Sequence, residues 1–166
     1  MARALKKTLS LSHRYTAFLK ACDPLDVETR TPTERIRLIP AADLEREQLG
    51  YARGNPQTPA NPAWKGGWVI IGFSSLLGDP YFLDTTRPDP EGDCPVMTAM
   101  VGSNRKPTLC ASNFACFLRI LATTMEVAQD FPAEAVDPDD EDIFREALRP
   151  KIRIVDPAAL REGHWT

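Results

Sequence analysis

One apolar run near the middle of the chain constrains the fold more than any other feature. Residues 68–73 read Trp-Val-Ile-Ile-Gly-Phe, a continuous apolar stretch that is typical of a central strand buried on both faces. The turn formers Gly78, Asp79 and Pro80 follow, and residues 81–84 predict a second strand. Because so short a connection joins antiparallel neighbours, the sequence predicts a hairpin at the centre of a sheet.

Periodic patterns predict the elements around this hairpin. Helices are predicted over residues 9–22, 41–51 (with Leu44 and Leu49 inward) and 113–129, a helix start at 137–142 and a helical turn at 157–162. Strands are predicted over residues 35–39, 95–101 and 108–110, with a last edge strand around Ile152 and Ile154.

Two of these helices have recognisable starts and buried faces. Ser10 or Ser12 can cap the first helix and Asn113 the long one, because these side chains accept hydrogen bonds from free backbone N–H groups. The first helix is expected to bury Tyr15, Phe18, Leu19 and Cys22, and the long helix Phe114, Phe117, Leu118, Leu121 and Met125.

Length and composition indicate a globular chain. The 166 residues suit about one domain, and 43% apolar with 26% charged residues excludes wholesale disorder. The sequence contains neither an apolar run of about 18 residues nor a secretory signal pattern. We therefore expect a cytoplasmic chain with no membrane partner and with its four cysteines reduced.

Charge is distributed unevenly along the chain. There are 20 basic and 23 acidic side chains, a net charge of −3, which argues against direct binding to nucleic acid. Residues 126–147 carry nine acids and a single arginine, and the acids at 137–142 suit the positive end of a helix dipole. This run forms either a solvated helix start or an acidic surface for a basic partner.

The residue patterns of common catalytic, cofactor and metal sites are missing from the sequence. His13 and His164 have no patterned partner, and the spacing of Cys110 and Cys116 does not suit structural zinc. There is no nucleophile elbow and no glycine-rich phosphate loop. The acidic run lacks the glycine and the glutamate that a calcium loop requires. We therefore predict no catalytic residue, no cofactor and no metal.

Two pairs of residues have competing interpretations. Asp79 and Asp84 bracket the second strand, where they serve either the turn and the strand end or, as paired carboxylates, hydrolysis. Trp64 and Trp68 flank a Gly-Gly pair beside a proline-rich loop. They either pin that loop to the core or anchor a partner, since aromatic side chains often dominate interfaces.

Three segments together resemble the SUKH superfamily, the Smi–Knr type of domain. They are Ile-Ile-Gly at residues 70–72, Gly-Asp-Pro-Tyr-Phe-Leu-Asp at 78–84 and Ala-Ser-Asn-Phe-Ala-Cys-Phe-Leu at 111–118. Asn113 stands where the family has serine, and both residues cap helices well. The usual Asn-Gly-Gly after the first helix is absent. The resemblance covers about residues 10–125 of a single domain over 1–166, and 126–166 form an extension outside the pattern.

The resemblance implies an α+β fold with a mainly antiparallel, curved sheet and packed helices. It gives structural roles to a set of motif residues: Gly72, Gly78, Asp79, Asp84, Asn113, Phe114, Phe117 and Leu118. The resemblance also implies an immunity function, because many bacterial members neutralise a cognate toxin, often a nuclease, and the family is not known for a shared active site.

We therefore expect a non-catalytic binding protein of the immunity type, with a protein toxin as its partner. Its candidate contacts are Asp137, Asp139, Asp140, Glu141, Asp142 and Trp64. Two alternatives remain open: a regulatory or scaffold protein with no toxin, and a small hydrolase that uses Asp79 and Asp84. The oligomeric state is left open by the sequence.

Overall fold

The fold is a meander of six antiparallel strands with helices packed against it. The structure, a computed structural model, describes residues 9–100, 106–132, 138–161 and 163–165. The strands are β1 (Glu28–Arg30), β2 (Arg35–Leu38), β3 (Trp68–Ser74), β4 (Pro80–Asp84), β5 (Val96–Thr98) and β6 (Thr108–Ala111), and they neighbour one another in this order. The helices are α1 (His13–Ala21), α2 (Phe114–Ala128) and α3 (Pro138–Val155), with 3₁₀ turns at Arg46–Gln48 and Pro157–Leu160. The expected α+β class is confirmed.

The predicted central hairpin is confirmed as β3 and β4. Ile70 pairs with Phe82, and the connecting turn places Gly78 at a φ of +75°, which favours glycine. The pairing register of β3 with β4 shifts between Ile70 and Gly72, where two residues of β3 advance against one of β4. At Gly72 a Cβ would lie 2.9 Å from the carbonyl oxygen of Arg37, so the approach of β2 to β3 requires glycine.

The sheet is covered on both faces, which explains why the run at 68–73 is apolar throughout. On one face Tyr81 contacts Phe117 of α2, with ring centroids 5.8 Å apart. On the other face Trp64 and Trp68 pack against Phe82, with centroids 4.8 and 4.7 Å away. The segment between β2 and β3 therefore forms the second cover of the sheet.

The caps of α1 and α2 are confirmed in detail. The Ser12 side chain accepts from the backbone N–H of Tyr15 at 3.1 Å, and Asn113 Oδ1 accepts from that of Cys116 at 2.8 Å. The predicted stripes are correct in part. Tyr15, Leu19, Phe114, Phe117 and Leu121 are buried, Phe18 and Leu118 are half-buried, and Cys22 and Met125 are exposed.

The edge strand predicted around Ile152 and Ile154 is wrong, because these residues belong to α3. Ile152 is fully buried whereas Ile154 is 83% exposed. Residues two apart share one side of a strand but lie on nearly opposite sides of a helix. Phe144, Leu148 and Ile152, each four apart, form the buried face instead. Pro150 lies inside this helix on its exposed side.

Other local predictions needed correction. Residues 41–51 form turns with a 3₁₀ turn at Arg46–Gln48 rather than a helix; Leu44 is buried as predicted, but Leu49 is 38% exposed. β1 was not predicted, since three residues carry too little pattern. The strand predicted over 95–101 is shorter, and Val101 falls outside the described residues.

Among the helices that the structure describes, none is long and apolar enough to cross a membrane.

Candidate functional site

The start of α3 presents acidic side chains at one end of the molecule. Asp139, Glu141 and Asp142 are exposed and Asp140 is half-buried, whereas Asp137 lies outside the described residues. The rings of Phe131, just after α2, and Phe144 of α3 are 5.3 Å apart. This contact holds the last turn of α2 beside the first turns of α3. We call the resulting surface the acidic end: Glu126, Asp130, Asp139, Asp140, Glu141 and Asp142.

Part of this charge serves the helix itself. Acids occupy the first turn of α3, and Arg153 lies in its last turn. Acids near the positive N-terminal end of the helix dipole and a base near its negative C-terminal end both stabilise the helix, each by about 0.3–1 kcal/mol. The side chains of Asp139, Glu141 and Asp142 are nevertheless exposed to solvent.

An apolar groove lies beside the same end of α2. It has a volume of about 360 Å³ and is formed by the second half of α1, the turn after it, the helix-facing side of β1 and β2, and α2. Apolar side chains make most of its surface: Phe18, Val27, Leu38, Leu121, Ala122 and Met125. The sequence did not predict this groove, because its walls come from segments that are distant in the chain.

Trp64 does not lie at the surface. Its side chain is 8% exposed, its Nε1 donates to the carbonyl oxygen of Trp68 at 2.9 Å, and its ring contacts that of Tyr51 at 4.9 Å. The indole therefore pins the segment between β2 and β3 to the sheet and offers little area to a partner. Between the two interpretations of this tryptophan, its position agrees with pinning.

The two aspartates of the hydrolase interpretation lie apart. Asp79 precedes β4 and Asp84 ends it, about 16 Å away at 3.3 Å per residue. Paired carboxylates in glycoside hydrolysis lie about 5–10 Å apart. The two side chains therefore do not form one two-carboxylate site.

Asp84 instead closes the strand. It accepts hydrogen bonds from the backbone and the hydroxyl of Thr86 and pairs with Arg87 Nε at 2.8 Å. Burial acts to raise the pKa of Asp84, but these partners outweigh burial and hold that pKa below its ordinary value. Asp79 is also buried, and its carbonyl oxygen accepts from Ser74 N at 2.8 Å, which closes the β3–β4 turn.

A partly buried polar cluster joins β4 to the last described residues. Tyr81 Oη donates to Glu34 Oε2 and lies 3.0 Å from His164 Nε2. Since the single tyrosine proton goes to Glu34, the His164 contact requires a proton on Nε2. Burial and then the positive charge of Arg145 lower the pKa of His164 to about 4, and burial raises that of Tyr81 well above its ordinary value.

Sequence reasoning missed this cluster for a physical reason. Tyr81 is 47 residues from Glu34 and 83 residues from His164. No local spacing connects three residues at such separations, so His164 had no visible partner in the sequence.

Comparison of the chain with protein-family models, with curated proteins and with solved structures finds no match in any of the three.

Proposed function

We propose that this chain is a non-catalytic binding protein of the immunity type, which neutralises a cognate bacterial toxin by binding it directly in the cytoplasm. The observation that carries the proposal is the acidic end, in which exposed carboxylates begin α3 and α3 packs against α2. The resemblance to SUKH domains supports the same function, and the antiparallel α+β architecture agrees with the fold that this resemblance implies.

The charge of the acidic end suits a partner with a basic surface, such as the nucleic-acid groove of a nuclease. Asp139, Glu141 and Asp142 lie within four consecutive positions and are exposed. A local field of one sign raises association rates by about 10–10³ at low ionic strength. By occupying the nucleic-acid groove of the nuclease, this chain would also keep the toxin from its substrate. We therefore expect binding to be fast and sensitive to salt.

The first test captures the partner with the tagged chain from a lysate of its source organism, at about 0.05 M and about 1 M salt. The Debye length falls to about 3 Å at the higher concentration, so charge-driven capture should be lost there. The captured protein is identified and expressed alone in a bacterial host. Growth arrest that co-expression of this chain relieves is the expected result. A stoichiometric partner without toxicity would replace the proposal by the regulatory or scaffold function.

A matched pair of triple variants tests the acidic end itself. Asp139→Asn with Glu141→Gln and Asp142→Asn should lower the association rate about tenfold and flatten its salt dependence. The control removes three acids elsewhere, by Asp43→Asn, Glu45→Gln and Glu47→Gln. It should leave the association rate and its salt dependence nearly unchanged. Equal effects of the two variants would show that net charge, rather than this surface, governs binding.

A further inference from the structure

The apolar groove beside α2 is open to solvent. Val27 on one wall is 41% exposed and Met125 on the other is 45% exposed. The volume of about 360 Å³ is within the range of sites that take a ligand or several side chains. Covering apolar surface of this kind with another molecule removes it from water and is therefore favourable in free energy.

Charges along the groove indicate what covers it. Asp23 lines the groove, where its Oδ1 accepts from the backbone N–H of Ala41 at 2.8 Å, and Asp26 lies exposed in the same turn. On the opposite wall Glu126 directly follows Met125 and begins the acidic end. Acids therefore flank both walls where α1 and α2 end.

The exposed basic residues Lys20 and Arg119 of these two helices do not line the groove. Lys20 is two residues from both Phe18 and Cys22, so it lies on nearly the opposite side of α1 from the groove. Among the lining residues that the structure describes, Asp23 is the charged one. A complementary occupant must therefore be apolar on one side and carry positive charge beside the ends of α1 and α2.

We infer that this groove seats the apolar face of a basic amphipathic helix of the protein partner, with Lys or Arg side chains of that helix paired to the flanking acids. The inference rests on the proposed function, since it names the element by which that partner binds. Leu118, Leu121, Ala122 and Met125 line the groove at helical spacing. They span about 10 Å, or two turns, which is the reach of a helix anchored at i, i+3, i+4 and i+7.

Cys22 provides a direct reporter of occupancy, because its thiol is exposed and lines the groove. The other thiols react more slowly. Cys94 and Cys110 are buried, burial raises the pKa of Cys94 to about 11, and burial also raises the pKa of the half-buried Cys116. Alkylation by N-ethylmaleimide, located by peptide mass mapping, therefore measures access to the groove.

The probe is a synthetic helix of about 14 residues with leucine at i, i+3, i+4 and i+7 and lysine elsewhere. At ten times its Kd it should slow Cys22 alkylation about tenfold. The matched peptide carries glutamate in place of lysine and should give little protection. Glu126→Gln combined with Asp130→Asn should weaken protection by the lysine peptide.

A pair of arginine substitutions shows where the probe binds. Ala122→Arg fills the groove and repels the lysine peptide, so protection should be lost; Met125→Arg repeats the test if the first variant does not fold. Ile154→Arg adds the same charge at an 83% exposed position of α3 that does not line the groove, and protection should persist.

Several outcomes would overturn the inference. They are an unchanged alkylation rate with the lysine peptide, equal protection by the glutamate peptide, and protection by a second copy of the chain as its concentration rises. If these occur while the acidic-end variants still impair toxin binding, the groove inference fails and the proposed function stands. If the lysine peptide protects Cys22 but no toxin is neutralised, the proposed function fails and the groove remains a binding site for a basic helix.

Discussion

Replacing Gln48 with leucine removes three hydrogen bonds from the centre of the protein with little change in volume. Gln48 is fully buried. Its Nε2 donates to the carbonyl oxygens of Leu44 (2.8 Å) and Ile70 (3.1 Å), and its Oε1 accepts from Ile70 N at 3.0 Å. β2 pairs with β3 from Gly72 onward, so the Gln48 amide takes the place of a neighbouring strand at Ile70.

The cost of Gln48→Leu follows from the groups left without a partner. Each of the three buried backbone groups left without a hydrogen bond costs about 1–3 kcal/mol, and burying the apolar leucine side chain offsets part of this cost. The free energy of unfolding should therefore fall by about 3–5 kcal/mol. That is a large part of a total stability of about 5–15 kcal/mol. Urea unfolding followed by tryptophan fluorescence measures it, and the slope against urea should stay unchanged.

Gln48→Glu sharpens the test. At neutral pH it places a buried carboxylate against two carbonyl oxygens, and should destabilise the protein at least as much as leucine does. Burial favours the protonated acid, which can donate one hydrogen bond, so this variant should recover stability relative to Gln48→Leu as the pH falls toward 4. A loss below about 1 kcal/mol for Gln48→Leu, or no recovery for Gln48→Glu, would refute the reasoning.

Two further predictions concern the end of the chain. Because the pKa of His164 falls from 6.5 to about 4 on folding, the neutral form contributes stability above pH 6.5 that is lost as the pH falls toward 4, on the order of 3 kcal/mol. Measured by urea unfolding, the stability lost between pH 7 and pH 4 should be smaller in His164→Gln than in the unchanged protein by that amount. An identical pH dependence of the two proteins would contradict the lowered pKa of His164. Asp156 is buried and accepts from Ser112 N, from Ser112 Oγ (2.8 Å) and from Ala158 N (3.1 Å). Asp156→Ala should lower the free energy of unfolding by about 2–4 kcal/mol in thermal or urea unfolding. Asp156→Asn keeps one acceptor oxygen and should lower it less. Equal losses for the two variants would show that these hydrogen bonds do not account for the stability.

The elements with strong local signals could be predicted from the sequence. The hairpin of β3 and β4 combines an apolar run, a glycine turn and a second apolar run within residues 68–84. α2 combines a capping Asn113 with a helical repeat of aromatic and aliphatic residues. In each case the decisive interactions join residues that are close in the chain, so the pattern and the structure agree.

Predictions failed where local patterns are ambiguous. Ile152 and Ile154 fit a strand as well as a helix when only their own segment is considered. The packing of α3 against α2, with Phe144 and Leu148 buried, decides for the helix. Val27 and Met125 gave no sign of sharing a surface, since nearly a hundred residues separate them. The groove exists because α1 and α2 lie side by side over the first strands.

By itself the sequence determined the class of the fold, its central hairpin, the helix caps and the acidic run. These depend on apolar periodicity, turn chemistry and side-chain hydrogen bonds over a few residues. Only the tertiary structure decided that Trp64 is buried, that Asp79 and Asp84 lie apart, and that Glu34, Tyr81 and His164 meet. Contacts of this kind depend on strand register and helix packing, which gather residues from distant parts of the chain and leave no local pattern behind.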